Sequence, residues 1–250
     1  MYEERFYRDF VKSKFSLEVS YKESDLFISS DKELDKEFVY NVLRRYYIEI
    51  EDYIRKNPVF LTSLSFLSFD ENAPQIVKDM LVVSKETNIG PFSSVAGAIA
   101  KYVGRDLLNY TDELIIENGG DIFLKINEDK KVGVYLGERF SYQLKDNFLI
   151  LKIKKRDQPF GIASSSAYIG ESLNFGKADL LTVIAKDSII ADGFATALSN
   201  LIKEKKDIEK VVSIAKKNSN IYALIIAFES KIYLWGEIEI APNFCDNKNV

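Results

Sequence analysis

Helical and strand patterns arrive in blocks along this chain and do not alternate regularly. Short apolar or alternating runs predict the strands, at 15–19, 25–28, 114–117, 121–126, 131–136, 148–153, 180–185, 221–228 and 231–235. Helical patterns fill the long interval between the second and third runs and the shorter interval that follows the strand at 180–185. Strict strand–helix alternation is typical of a parallel doubly wound sheet, so this block order favours an α+β fold instead.

Apolar residues at four-residue steps predict a long helix over 31–56. Pro58 ends this helix, because the residue before a proline disfavours the helical conformation. The other helices are predicted to begin near Pro74, Val95, Ser188 and Asp207. The segment 164–179 is polar and without periodicity. A loop of that length within a compact domain is typically functional or disordered, and its apolar members favour order.

The composition argues against several classes of partner. The chain has 250 residues, a net charge of −4 and a pI of about 5.2, so its overall charge attracts neither nucleic acid nor anionic membranes. We see no signal peptide and no apolar run long enough to span a bilayer, and we expect a cytoplasmic location. We predict a single domain over 1–250, with a polar tail from about 241 to 250.

The chain contains no histidine and has one cysteine, Cys245. Catalytic triads that use histidine, histidine-ligated metal sites and internal disulfides are therefore excluded. A metal ion bound by this chain must be a hard cation held by oxygen atoms, such as magnesium or calcium.

The helical segment 187–200 has an unusual polar face. Asp192 and Thr196 lie four residues apart on one face, among residues with short side chains and opposite an apolar stripe. A carboxylate and a hydroxyl in such surroundings suit a surface that a ligand or a cation approaches closely. Two ordinary explanations stay open. An Asp in the first turn favours the helix dipole, and a helical Thr can donate to the carbonyl four residues earlier.

Three further segments offer contacts for a ligand. Gly90–Ser94 precedes a helix, whose first amides attract phosphate, although ordinary serine capping explains it equally well. The turn at 117–121 has two adjacent glycines, which permit the close approach of a ligand or of another backbone. Within 164–179, Lys177 and Asp179 are the best chemical groups.

Five segments, taken together and in order, resemble the ApbE-like superfamily and most closely an ApbE-related cytoplasmic branch. They are Asn72-Ala73-Pro74, Gly90-Pro91 with the small residues 95–100, Glu117-Asn118-Gly119-Gly120-Asp121, Gly176-Lys177-Ala178-Asp179, and Ala191-Asp192 with Ala195-Thr196-Ala197. Pieces at 6–8 and 24–26 also fit this branch. Each piece alone is weak, but the ordered set is specific and covers about residues 5–200.

The resemblance implies an α+β, T-fold-like architecture, with two related halves packed into one globular unit. It also implies magnesium-dependent flavin chemistry, in which FAD is cleaved and FMN is attached to a threonine of a target protein. Asp192 and Thr196 match the metal-binding residues of the family, and the backbone carbonyl of Ser94 is the nearest match to a third ligand. The residues that we accordingly expect near the flavin nucleotide are Ser93, Ser94, Asn118, Gly119, Gly120, Asp121, Lys177 and Asp179.

The absence of histidine leaves a second hypothesis open. ApbE transferases carry a histidine-containing stretch where this chain has 171–179. On this hypothesis the chain retains the fold as a non-flavin accessory or binding protein in sulfur assimilation and homocysteine formation, with a partner from sulfur metabolism. On the first hypothesis its partners are a nucleotide or flavin and a protein substrate.

Overall fold

An eight-stranded antiparallel sheet is the centre of the molecule, which a computed structural model describes for residues 13–137, 140, 147–168 and 173–241. The strands are β1 (Phe15–Tyr21), β2 (Ser24–Ser30), β3 (Leu114–Asn118), β4 (Asp121–Lys125), β5 (Lys130–Tyr135), β6 (Phe148–Ile153), β7 (Phe160–Ser165), β8 (Leu180–Ala185), β9 (Ile221–Phe228), β10 (Lys231–Gly236) and β11 (Glu239–Ile240). The large sheet has the order β1-β2-β3-β4-β7-β8-β9-β10, and β11-β6-β5 form a second sheet. All of these strand pairs are antiparallel, which confirms the α+β prediction.

The large sheet is the middle of three layers. The helices are α1 (Lys36–Lys56), α2 (Val59–Thr62), α3 (Gln75–Thr87), α4 (Val95–Leu107), α5 (Ser188–Leu201) and α6 (Asp207–Lys216), and a 3-10 turn at Pro91–Ser94 leads into α4. Phe123 of β4 joins the core under the helices, whereas its neighbour Leu124 packs with β6 of the small sheet. In β8, Val183 likewise packs under the helices, whereas Ile184 packs with the small sheet. Side chains alternate along a strand, so the helices cover one face and the small sheet covers the other.

The chain repeats one arrangement twice. A hairpin (β1 and β2), the helices α1 to α4 and a second hairpin (β3 and β4) form the first half. A hairpin (β7 and β8), the helices α5 and α6 and a further hairpin (β9 and β10) form the second half. The two halves are joined by the pairing of β4 with β7, through the pairs Ile122–Ile162, Phe123–Gly161 and Leu124–Phe160. This topology agrees with the two related halves that the resemblance implies.

Side-chain caps fix where two of the helices begin. Asp187 accepts a hydrogen bond from the Ile190 N–H at 2.9 Å, and α5 begins at the next residue, Ser188, as predicted. Asp35 caps α1 by accepting from the Phe38 N–H at 2.7 Å, so this helix begins at Lys36 and not at the predicted residue 31. Within the described part of the chain, no helix combines the length and the apolar character needed to cross a bilayer.

The predicted loop at 164–179 is too long, because its first two residues belong to β7. This strand runs close under the start of α5. A Cβ atom on Gly161 would lie 2.3 Å from the Ser188 Cα, so no residue larger than glycine fits there. The resulting small residues in β7 hide the apolar pattern by which a strand is recognised. Cys245, the segment 6–8 and the polar tail beyond residue 241 lie outside the described residues.

Candidate functional site

The helices α4 and α5 cross at Gly97. The Gly97 N–H donates to Asp192 Oδ2 at 2.9 Å, and Ser188 Oγ donates to the Gly97 carbonyl at 2.7 Å. A Cβ atom on Gly97 would lie 2.2 Å from the Ser188 carbonyl oxygen, so no larger residue fits. Ser94, the N-cap residue of α4, makes no side-chain capping bond. The Asp192 carboxylate therefore serves as the acceptor for the first turn of α4 from the neighbouring helix.

The β3–β4 hairpin brings Asp121 to the same place. Gly119 and Gly120 form its turn with φ angles of 66° and 97°, which favour glycine, and this confirms the predicted turn. Asn118 pairs with Asp121 across the turn, and the Asn118 Nδ2 donates to the Ala96 carbonyl at 3.2 Å. The hairpin therefore meets α4 at the residue before Gly97, whose amide binds Asp192.

Two buried carboxylates at this junction interact electrostatically. Asp121 is 7% exposed and Asp192 is 6% exposed. Burial, the Asp192 charge and the Glu117 charge raise the pKa of Asp121 well above its usual value. Burial raises the pKa of Asp192 to about 7, against the effect of the Gly97 N–H. Because the two groups interact, they lose their protons as a pair.

Asp121 also lacks a hydrogen-bond partner at one of its oxygens. Its Oδ1 is buried and accepts no hydrogen bond from the described residues. Among the ion pairs of the described residues, none joins a lysine or an arginine to Asp121 or Asp192. Glu117, the third carboxylate here, accepts from the Gly120 N–H at 2.8 Å. The site therefore holds three buried acidic side chains, and no cationic side chain of the described residues pairs with Asp121 or Asp192.

Thr196 lies one helical turn after Asp192 and is 7% exposed. Thr87 shows the ordinary behaviour of a helical threonine, because its hydroxyl donates to the Val83 carbonyl at 2.7 Å. In the described part of the chain, the Thr196 hydroxyl makes no such bond. Neither ordinary explanation holds: Asp192 lies beyond the first turn of α5 and accepts from the first turn of α4 instead, and the Thr196 hydroxyl makes no bond back to the preceding turn among the described residues.

The 3-10 turn before α4 uses its serine side chains internally. The N–H and the hydroxyl of Ser93 both donate to the Gly90 carbonyl, at 3.2 and 2.6 Å. The hydroxyl of Ser94 donates to the Pro91 carbonyl at 3.1 Å. A Cβ atom on Gly193 of α5 would lie 3.8 Å from the Ser94 Cβ, so Ser94 adjoins the same helix as Asp192 and Thr196. Because the Ser94 hydroxyl is used in this internal bond, the Ser94 backbone is the better candidate for contact with a ligand.

Lys177 and Asp179 lie at the other end of α5. The Lys177 N–H donates to the Ile202 carbonyl at 2.7 Å, and its side chain is exposed. Asp179 is buried, and its Oδ2 accepts from the Glu229 N–H at 3.0 Å in the β9–β10 turn. The structure therefore groups Asp121, Asp192, Thr196, Ser94 and the glycine turn around α4 and α5, and it places Lys177 and Asp179 at the carboxyl end of α5.

Lys101 is a residue of this region that the sequence interpretation missed. Its Nζ lies 3.0 Å from Asp79 Oδ2 and 2.8 Å from Asp187 Oδ2, and its side chain is 17% exposed. It thus joins α3, α4 and the residue that caps α5. A signal was present, because Lys101 follows Gly97 by four residues and so lies on the face of α4 that meets α5.

The donor set fits a hard divalent cation. All the candidate atoms are carboxylate, hydroxyl or carbonyl oxygens, which magnesium and calcium prefer. The described residues contain no group of three or more acidic, histidine or cysteine side chains around one point. A cation here would therefore be held by a mixed set of protein oxygens, completed by water or by oxygens of a ligand. The buried and unpartnered Asp121 Oδ1 is the observation that favours such a cation.

Comparison with known proteins assigns the family. Residues 8–229 match the family model described as AbpE bacteria. The chain belongs to this family. A UPF0280 protein of Methanocaldococcus jannaschii is 34% identical over 227 residues, which cover 90% of this chain and 91% of the relative. The match extends over both halves of the fold, since it includes nearly the whole chain.

Two solved structures share the fold of this AbpE bacteria chain. The flavin transferase ApbE from Vibrio cholerae has a TM-score of 0.60 and 13% sequence identity, and the match covers 88% of this chain and 96% of that protein. The flavinyl transferase ApbE of Pseudomonas stutzeri has a TM-score of 0.59 and 13% identity, over 91% of this chain and 96% of that protein. The predicted family resemblance and the predicted fold class are both confirmed.

Proposed function

We propose that this chain binds a flavin nucleotide, FAD or FMN, together with Mg²⁺, and that it has FMN-transferase-type activity. One observation carries the proposal: the buried Asp192 carboxylate lies without a cationic partner among the described residues, beside a Thr196 hydroxyl that donates to none of them. The flavin transferase fold of the two solved neighbours supports the flavin part of the proposal.

The proposed cation site consists of Asp192, Thr196 and the backbone carbonyl of Ser94. A buried carboxylate is costly unless a counter-charge compensates it, and Asp192 has none among the described residues. Mg²⁺ is commonly held by one or two carboxylates together with phosphate oxygens of a substrate. When bound, it supplies charge neutralisation at a diphosphate. Asp192 contributes the negative charge, Thr196 a neutral oxygen, and the close crossing at Gly97 holds the Asp192 side chain in place.

The glycine turn offers room for the nucleotide. A Cβ atom on Gly120 would meet nothing within 4 Å, so open space borders the turn on that side. Asn118, Gly119 and Gly120 are the residues that we propose beside the flavin ring. The exposed Lys177 ammonium and the Asp179 region are the proposed contacts for a more distant part of the nucleotide, and Ser93 and Ser94 border its phosphates.

Titration of FAD into the full chain, in the presence of millimolar Mg²⁺ or of EDTA, tests the binding proposal. We expect saturable binding that depends on Mg²⁺, and a loss of at least about tenfold in affinity in Asp192→Asn and Thr196→Val. Two variants serve as matched controls. Asp157→Asn alters an exposed aspartate, and Thr182→Val alters a buried threonine whose hydroxyl bonds to Ser164. Both controls should bind FAD with the affinity of the unmodified chain.

Transfer is tested separately, by AMP release from FAD in the presence of a threonine-containing acceptor protein. Turnover that requires Mg²⁺ and is lost in Asp192→Asn is the expected result. If the chain gives neither a flavin spectrum nor a thermal shift with FAD and Mg²⁺, the proposal is wrong. A colourless protein that co-purifies with a sulfur-transfer partner would favour the accessory role instead.

A further inference from the structure

The ligand set proposed for the cation, namely Asp192, Thr196 and the Ser94 carbonyl, gives no partner to the nearby Asp121 side chain. It is 7% exposed, and its Oδ1 has neither solvent nor a hydrogen-bond partner among the described residues. Buried polar atoms are nearly always paired, so an orphaned carboxylate oxygen calls for a partner that the described residues do not supply.

The hairpin that carries Asp121 and the side chain of Asp192 both contact the first turn of α4. Asp121 pairs with Asn118, and the Asn118 amide donates to the Ala96 carbonyl. The next residue of α4, Gly97, donates its N–H to Asp192 Oδ2. The hairpin that carries Asp121 is thus bonded to Ala96, and Asp192 is bonded to the next residue of the helix, Gly97. The two charges act on one another, with that of Asp192 disfavouring the ionised form of Asp121.

In the metal-free protein a proton can neutralise this carboxylate, because burial and the Asp192 charge raise its pKa. A proton neutralises only one carboxylate, and it leaves Oδ1 without a hydrogen bond from any described residue. A lysine or arginine would be a good partner, but no such side chain of the described residues pairs with Asp121. A divalent cation satisfies the oxygen directly and neutralises both carboxylates at once.

We propose that Asp121 is a direct ligand of the same divalent cation as Asp192, so that each half of the molecule contributes one carboxylate. This inference rests on the cation of the proposed function, and it changes the role of Asp121 from a flavin contact to a metal ligand. Two carboxylates balance the charge of a divalent ion without a phosphate. The ion therefore binds before the nucleotide does.

Binding of Mn²⁺ to the full chain without nucleotide tests this inference, with electron paramagnetic resonance to count free and bound ions. We expect one Mn²⁺ for each chain. Asp121→Asn and Asp192→Asn should each weaken binding by at least about tenfold, and Asp157→Asn should have no effect. Asp121→Ser serves as a second variant with a shorter side chain, and circular dichroism in EDTA establishes that each variant is folded.

Two outcomes would overturn the inference. One is unchanged Mn²⁺ affinity in folded Asp121→Asn and Asp121→Ser while Asp192→Asn loses it, which would leave Asp192 alone as the carboxylate ligand. The other is an unmodified chain that binds no Mn²⁺ without nucleotide. The FAD titration separates this inference from the proposed function, because Mg²⁺-dependent FAD binding can persist when Asp121 is not a ligand, and Mn²⁺ binding can persist when FAD does not bind.

Discussion

At Asp121 and Asp192, burial opposes the negative charge that a carboxylate carries at neutral pH. A raised pKa in the folded state means that folding favours the protonated form. This contribution to stability is complete below the unfolded pKa, near 4, and is lost as the pH rises through the folded value, which is about 7 for Asp192. The metal-free protein is therefore expected to lose stability between pH 4 and pH 7 at this pair.

Removal of the charge at Asp121 should stabilise the metal-free protein. We expect Asp121→Asn to raise the free energy of unfolding at pH 7.5 by about 1–3 kcal/mol, because the amide is neutral at every pH, whereas the carboxyl must be protonated or buried as an anion when the chain folds. The gain should shrink as the pH falls towards 4. Urea unfolding in EDTA at both pH values measures it, with Asp157→Asn as the neutral control. A variant that is equally destabilised at both pH values would contradict the assigned charge.

Single residues show clearly what sequence can and cannot predict. Asp192 and Thr196 are recognisable because helical spacing places them on one face among small residues. The hydrogen bond from the Gly97 N–H to Asp192 joins residues 95 positions apart in the chain, and the orphaned oxygen of Asp121 arises from burial in the folded structure. No local pattern encodes such a contact, so only the folded structure supplies it.

At the level of elements, the crossing of α4 and α5 controls the geometry of the site. Gly97→Ala should destabilise the fold by about 3 kcal/mol or more, since its Cβ would lie 2.2 Å from the Ser188 carbonyl oxygen and would force the helices apart. Thermal unfolding and FAD titration measure the two effects. Gly133→Ala is the control, because Gly133 is exposed and its Cβ would meet only side-chain atoms, the Phe148 ring at 3.2 Å and the Ile150 Cδ1 at 3.7 Å. Equal stability of the two variants would count against a close crossing.

Lys101 makes a second connection between elements. Lys101→Met would leave Asp79 and Asp187 without their shared cation, and we expect a loss of about 2–4 kcal/mol in the free energy of unfolding. Lys32→Met removes an ion pair with Asp112 whose side chains are 53% and 72% exposed, and it should cost less than about 1 kcal/mol. Chemical denaturation compares the two, and a similar small cost for both would show that the Lys101 bridge is not structural.

Elements with strong local signals are the predictable ones. The strand at 180–185 follows from its apolar run and the start of α5 from the Asp187 cap, and the structure confirms both. The predicted start of α6 at Asp207 is also confirmed, although no side chain caps that helix. The strand β7 and the four-residue helix α2 were missed. Four of the six residues of β7 are small, and Gly161 must be so because the start of α5 lies against it. The helix α2 is too short to show a period.

For the whole molecule, the continuous sheet implies that the two halves unfold together. The chain has one tryptophan, Trp235, which packs against the core of the second half. We expect its fluorescence and the far-ultraviolet circular dichroism of the entire chain to change at the same urea concentration. Coincident transitions would support the prediction of a single domain. Separate transitions would show that the β4–β7 pairing is too weak to couple the halves.

The sequence predicts the fold class, but it does not predict how the strands pair or which sheet each strand joins. The block order of patterns favours an α+β fold, and the ordered motifs indicate the family. The pairing of β4 with β7, and the assignment of β5, β6 and β11 to a separate sheet on the far face, depend on long-range register. The sequence contains no local cue for that register, because the alternation of β5 and the apolar run of β6 suit either sheet.

The hydrogen bond from Gly97 to Asp192 gives the molecule a built-in reporter. Its acceptor is the carboxylate proposed to meet the ligand, and its donor is a backbone amide that can be observed in isotope-labelled protein. A cation that binds the Asp192 carboxylate must weaken or reorient this hydrogen bond. The chemical shift and deuterium exchange of one glycine amide, at the start of α4, would then record the occupancy of the site without a label on the ligand and without any turnover.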